Sequence, residues 1–396
     1  MRFYIYIFAF VFSLATILLQ RGVFFYTQYE LGMSDSQNLF LALATGITYI
    51  AGAQLSHKFW ENLGPRRSIF ILLAIQIALP LTAFFSAKAA SVWLVVILYS
   101  FFNGMTWPVV ESYASAGLDE KRSSRSIGIY NLCWSSAVPV SVWMSGALIS
   151  GFKNGIFLVC GIIVLSAMSL VFFLPKVIPH HILIPDNGKR DEAEKTIAYD
   201  EMRRMLASSR WSMGFSYALM QIFAALLPGK FHAAGISVAM ATILAGFIDA
   251  SRTLAFLLMS VTHWWHGKKI LLVPASLTVA LGFCTCMSGD KIPVILAGEI
   301  VYGLAAGFAY YSALYYAMVL SKAAVGAGGS HESVIGAGFT VGPVVVIAGK
   351  QIAALSGLSI ATGLAFGVVP LILTAVPVSI LCLIPGRKRP GKDFQL

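Results

Sequence analysis

Six ionisable side chains lie within otherwise apolar stretches of this chain: Arg21, Glu111, Asp249, Arg252, Glu299 and Lys350. Asp249 and Arg252 share the stretch ATILAGFIDASRTLAFLLMS, residues 241–260, and stand three positions apart, so on a helix they share a face and can neutralise one another. Two chemistries fit that pair. It is either a structural fastener or a carboxylate that stays ionised until its arginine is drawn away, an exchange that couples protonation to movement. Arg21 has no acid three or four residues away, and its planar guanidinium suits a carboxylate or phosphate. Its other expected fates are to reach the aqueous boundary or to pair with Glu299. Lys350, near the end of its stretch, is expected to reach the boundary.

The setting that must position these groups follows from composition. The chain is 58% hydrophobic and only 11% charged, and its mean hydropathy of +0.79 is that of a membrane protein. Twelve apolar runs are each long enough, at ~1.5 Å per residue, to cross a ~30 Å hydrocarbon layer as a helix. The first six run from about Phe3 to Tyr26, Leu39 to Phe59, Ser68 to Ser86, Val92 to Gly117, Ser126 to Ser150 and Gly155 to Leu174. The second six run from Trp211 to Leu227, Ile236 to Val261, Ile270 to Met287, Pro293 to Val319, Val334 to Ala354 and Ala361 to Ile384. One long polar segment separates the sets, and within it PDNGKRDEAEKTIAYDEMRRMLASSR reads as a loop followed by a short amphipathic helix along the membrane surface. The expected organisation is an all-α, multi-pass chain with a six-helix bundle over 1–175, a linker over 176–210, and a second bundle with its tail over 211–396. MRFYIYIFAF opens like a signal peptide, but no small-x-small cleavage site closes the run, so it reads as the first span.

A charge at the centre of a span costs about 2.5–3.5 kcal/mol to insert, so none of the six is expected to face lipid. They require a polar interior shared by several helices. Of the 28 lysines and arginines, Lys88, Lys153, Lys230 and Lys291 fall on one side of the membrane. Arg21, Arg252 and Lys350 fall within spans, and all the rest fall on the side of the termini. Both termini are therefore expected to be cytoplasmic, in the cell (inner) membrane. The net charge of +11 follows from this topology and from anionic lipid, not from nucleic acid. The five cysteines are expected to be free thiols, and HWWH (263–266) beside Lys268 and Lys269 reads as an interface anchor instead of a metal site. No phosphate loop, zinc motif or nucleophile elbow occurs, so neither metal nor cofactor is expected.

Two six-span halves joined by a polar loop, with both termini on one side, resemble the major facilitator superfamily over the whole chain. In GAQLSHKFWENLGPRRS, Gly52, Lys58, Gly64, Arg66 and Arg67 are similar to the family's loop after the second span, while Ser56 or His57 stands where its acid belongs. Glu111, followed by Arg122 and Arg125, looks like the family's carboxylate–arginine pairing that ties helix ends together, which implies a gate. Gly336, Gly338, Gly342 and Pro343, after His331 and Glu332, are similar to a family antiporter motif, displaced to the eleventh span.

The resemblance implies a central cavity lined by spans 1, 4, 7 and 10. Those spans offer Arg21, Asn103, Trp107, Gln221, Glu299, Tyr302 and Tyr310 as solute contacts, with tyrosine suited to sugars, aromatic or amphipathic solutes. Asp249 and Arg252 are the expected proton-coupling pair. The function implied is secondary active transport of a small molecule, anionic or sugar-like, by alternating access, with the protein expected to be a monomer in the bilayer. The other classes are an intramembrane enzyme or lipid translocase using His331, Glu332 and Asp249, and a transport-inactive sensor or scaffold.

Overall fold

The computed structural model describes residues 2–115, 117–118, 120–152, 154–178, 192–321 and 326–385. Among them, twelve helices are long and apolar enough to cross a membrane. The first six are α1 (Arg2–Tyr29), α2 (Asp35–Leu63), α3 (Pro65–Phe85), α4 (Ala89–Ala114), α5 (Arg125–Gly151) and α6 (Gly155–Phe173). The second six are α7 (Tyr199–Ala233), α8 (Val238–Val261), α9 (Lys269–Ser288), α10 (Ile292–Ala317), α11 (Ser330–Leu355) and α12 (Thr362–Leu383). The chain is a multi-pass, all-α membrane protein of two six-helix bundles.

The helices outrun the apolar runs where polar residues cap them. Ser34 opens α2 with a capping box: its hydroxyl accepts from the Gln37 amide, and Gln37 Oε1 accepts from the Ser34 amide at 2.8 Å. The largest departure lies ahead of α7. A single helix runs from Glu192 to Ala233, so the segment read as a separate amphipathic helix on the membrane surface is the unbroken start of α7. Nothing between Ala207 and Met213 breaks a helix; the change at Arg210 is one of polarity alone.

Two local irregularities matter for the interior. Leu18–Gly22 in α1 is a π-helical turn, with Arg21 in its last positions. In α8 the helix breaks at Gly246 into Val238–Ala245 and Phe247–Val261, just ahead of Asp249.

The halves meet along two helix pairs, α2 on α11 and α5 on α8. Exchanging each helix for its counterpart in the other half turns one pair into the other, as expected of two related repeats. Close approach needs small residues. A Cβ added at Gly46 would fall 2.7 Å from the backbone carbonyl carbon of Phe339, so α2 and α11 touch backbone to backbone there.

Candidate functional site

A cavity of about 950 Å³, the open space at its edge included, lies between the halves. Eight helices border it: α1, α2, α4 and α5 from the first bundle, and α7, α8, α10 and α11 from the second. Its walls are aromatic, with Tyr49, Tyr99, Trp107, Tyr130, Trp134, Tyr217, Tyr310 and Phe339. Tyr310 packs flat against Phe256 at 5.2 Å and edge-on to Trp134 at 5.4 Å, which fixes its ring at the wall. Gln221 donates weakly to the Ala42 carbonyl and to Thr45, 3.4 and 3.3 Å away, so its amide bridges the halves at the cavity edge.

One pole of the cavity is basic. Arg21 and Arg252 both border it, and each stands 3.3 Å from one oxygen of Asp249. Asp249 itself is fully buried and does not border the cavity. The contact with Arg252 stays within α8, whereas the contact with Arg21 joins the two halves. Neither contact has the alignment of a full hydrogen bond, so the attraction is mainly Coulombic. The Arg252 guanidinium also lies over the Trp134 ring at 5.3 Å and reaches Met220 Sδ at 3.4 Å. Two guanidiniums sharing one carboxylate leave an excess of positive charge at this pole.

The other pole is acidic. Glu111 of α4 and Glu332 of α11 both border the cavity, and Tyr49 of α2 donates its hydroxyl proton to Glu332 Oε2. Among the described residues, neither carboxyl forms an ion pair with a basic side chain.

Most of the expected solute contacts converge here, and several do not. Arg21, Trp107, Gln221, Tyr310 and Arg252 border the cavity. Asn103 is turned away and fully buried, its Oδ1 accepting from Thr16 at 3.3 Å. Tyr302 is turned into the second bundle, where its hydroxyl donates to the Ser216 carbonyl. Glu299 is fully buried beside Cys286, off the cavity, with the charge of Arg21 acting on it. Of the expected gating residues, Glu111 borders the cavity together with Glu332 of α11, while Arg125 is exposed. The reach of Lys350 to the boundary fits its position, since its Nζ lies 3.5 Å from the exposed Ser36 hydroxyl. Trp265 of the HWWH segment is buried and Trp264 exposed, and no cluster of metal-ligating side chains occurs among the described residues.

Sequence reasoning missed the walls from α2, α5 and α11. A signal existed in helical spacing: Thr45 and Tyr49; Tyr130, Trp134 and Val138; and Glu332, Ile335 and Phe339 each recur at three or four residues and share one face.

The sequence matches the family model of the Major Facilitator Superfamily over residues 3–349. The chain belongs to the major facilitator superfamily. No curated protein matches it. Among solved structures it is similar to a mutant of the nucleoside transporter NupG, with TM-score 0.66 and 15% identity over 97% of this chain and 100% of that one. It is also similar to the human organic anion transporter MFSD10, with TM-score 0.64 and 14% identity over 96% of this chain and 98% of the other. A bacterial homologue of the human lysosomal transporter Spinster aligns with TM-score 0.61 and 15% identity, covering 96% of this chain and 95% of that one. At such identity the likeness is one of fold, and the fold of this superfamily member is that of a transporter.

Proposed function

We propose that the chain is a secondary active transporter that moves a small organic anion with a ring-bearing body across the cell membrane, driven by a proton gradient. The supporting observation is that Arg21 of the first half and Arg252 of the second both border the cavity while sharing Asp249. An anionic solute at this pole competes with Asp249 for two guanidiniums at once, and so replaces the Arg21–Asp249 pair that crosses between the halves. Binding then bears on the equilibrium between conformations, because the solute's contacts differ between them. Released from its arginines, Asp249 is a buried carboxylate without counter-charge, a group that takes up a proton. Trp107 and Tyr310 offer flat apolar faces for the solute body. The excess of lysine and arginine on the side of the termini supports a cytoplasmic location for both ends.

The test is uptake into proteoliposomes of labelled organic anions, neutral sugars and nucleosides, and organic cations, with and without a pH gradient. Gradient-dependent accumulation of an anion, weakened by neutralising either arginine, supports the reading. Accumulation confined to neutral or cationic solutes overturns the choice of solute, and chemical conversion of a solute would point to an enzyme.

A further inference from the structure

We propose that Trp143 and Thr253 are positioning residues: together they clamp the break in α8 against α5 of the first half, and so aim Asp249 at Arg21. The proposal rests on the transporter reading for the purpose of the clamp, though not for its existence.

Across the seam between α5 and α8, two hydrogen bonds run in opposite directions, and each fills a vacancy in the backbone of the receiving helix. Pro139 of α5 has no N–H, so the Ser135 carbonyl four residues earlier lacks its helical bond. The Thr253 hydroxyl of α8 donates to that carbonyl at 2.9 Å. It also lies 2.9 Å from the Asp249 carbonyl of its own helix, which is inside a regular stretch and already accepts from a backbone amide. In the other direction, the first segment of α8 ends at Ala245, which puts the Ile243 carbonyl in a last turn, where carbonyls lack an intrahelical partner. Trp143 of α5 donates its indole N–H to it at 3.1 Å. The indole lies across Gly246, in the space that a Cβ there would fill. Each helix thus completes the interruption in the other.

Placement gives these bonds a task beyond adhesion. Ile243 and Thr253 lie on opposite sides of the break at Gly246, and Asp249 and Arg252 lie between them. Two points of attachment to one neighbouring helix fix the angle between the two segments of α8. The same neighbour holds the other partner of the ion pair: the Ser141 hydroxyl of α5 donates to the Leu14 carbonyl of α1 at 2.7 Å, and α1 carries Arg21. Both ends of the Arg21–Asp249 contact, 3.3 Å long, are therefore referred to α5. Beside Ser135, Trp134 lies against the Arg252 guanidinium at 5.3 Å, so the second arginine is steadied from the same helix. Loss of either donor leaves a carbonyl unpaired within the membrane, lets the angle at the break change and turns Asp249 away from Arg21.

The rate at which a thiol reagent modifies the buried Cys160 reads opening of the purified full chain, with no solute present. Trp143→Phe keeps a ring and deletes the N–H, and Thr253→Val keeps the shape and deletes the hydroxyl. Each should raise the rate about fivefold, the worth of one hydrogen bond. A clamp that acts through Asp249 should lose that effect once there is no pair to aim. In a chain that already carries both Asp249→Asn and Arg21→Gln, each change should therefore raise the rate no more than about twofold. A simple fastener between the halves would give the same factor in both backgrounds, and that result overturns the proposal, as does a change of less than about twofold in the otherwise wild-type chain. The outcome is independent of the uptake experiment: the coupling can appear in a chain that accumulates nothing, and the transporter reading alone would then fail.

Discussion

Replacing Asp249 by asparagine removes the only carboxylate in contact with Arg21 and Arg252 among the described residues, at nearly unchanged volume. Each arginine lies 3.3 Å from an Asp249 oxygen, a distance worth about 5 kcal/mol of Coulomb attraction at an effective dielectric of about 20. The Asp249 side chain is fully buried, and the two arginine side chains are 9% and 5% exposed, so water screens the pair little. Breaking a buried pair by removing one partner costs about 3–5 kcal/mol. Both guanidiniums border the cavity and regain some hydration there, which puts the expected loss near the lower bound, about 3 kcal/mol. That is a factor of more than about a hundred in the opening equilibrium. Cys160, fully buried among α1, α4 and α6, is a native reporter of opening, and its rate of modification by a thiol reagent should rise by that factor in Asp249→Asn. Adding Arg21→Gln removes one of the two uncompensated charges and should slow the modification again. The reasoning is refuted if Asp249→Asn changes the rate less than about twofold, the effect of an ordinary surface substitution. It is equally refuted if Arg21→Gln adds a further loss where it should compensate.

Two more outcomes follow from where side chains point. Tyr302→Phe deletes the hydroxyl that donates to the Ser216 carbonyl and should cost about 1 kcal/mol in thermal unfolding while leaving the KM of transport unchanged; Trp107→Ala should raise KM, and the reverse pattern would mean that the cavity wall is misassigned. Gly46→Ala drives a methyl into the backbone of Phe339 and should destabilise the contact between α2 and α11 by about 1–3 kcal/mol, whereas Gly151→Ala meets nothing within 4 Å and should cost no stability; equal melting temperatures for the two variants would contradict the close approach.

The class of the protein and its twelve spans were legible because apolar runs of membrane length are a coarse, redundant signal that one polar residue does not erase. The inward turn of Arg21, Asp249 and Arg252 was legible for the same reason: lipid tolerates no unpaired charge. Partners were not. Asp249 was read with Arg252 because three residues on a helix are near neighbours, but Arg21 reaches it from the other half, and contacts between halves leave no trace in local spacing. Glu111 was likewise read with the arginines that follow it in the chain, and its place at the cavity with Glu332 of α11 had no local signal. The facing of α10 was equally hidden. It is apolar on all sides, so nothing in its pattern distinguishes Tyr310 at the cavity from Tyr302 and Glu299 turned into the bundle.

The π-turn at Leu18–Gly22 has a bearing on how the first span is aimed. Each residue of an α-helix advances the side-chain direction by about 100°, so one surplus residue in a turn offsets everything after it by that angle from everything before it. Ser13 and Thr16, upstream, look into the chamber, and Tyr26, downstream, is free to bond Asn154 at the rim of its own half. A regular helix would have to give up one of these alignments. Arg21 sits at the seam between the two phases, where a small rewinding swings a long side chain through a wide arc.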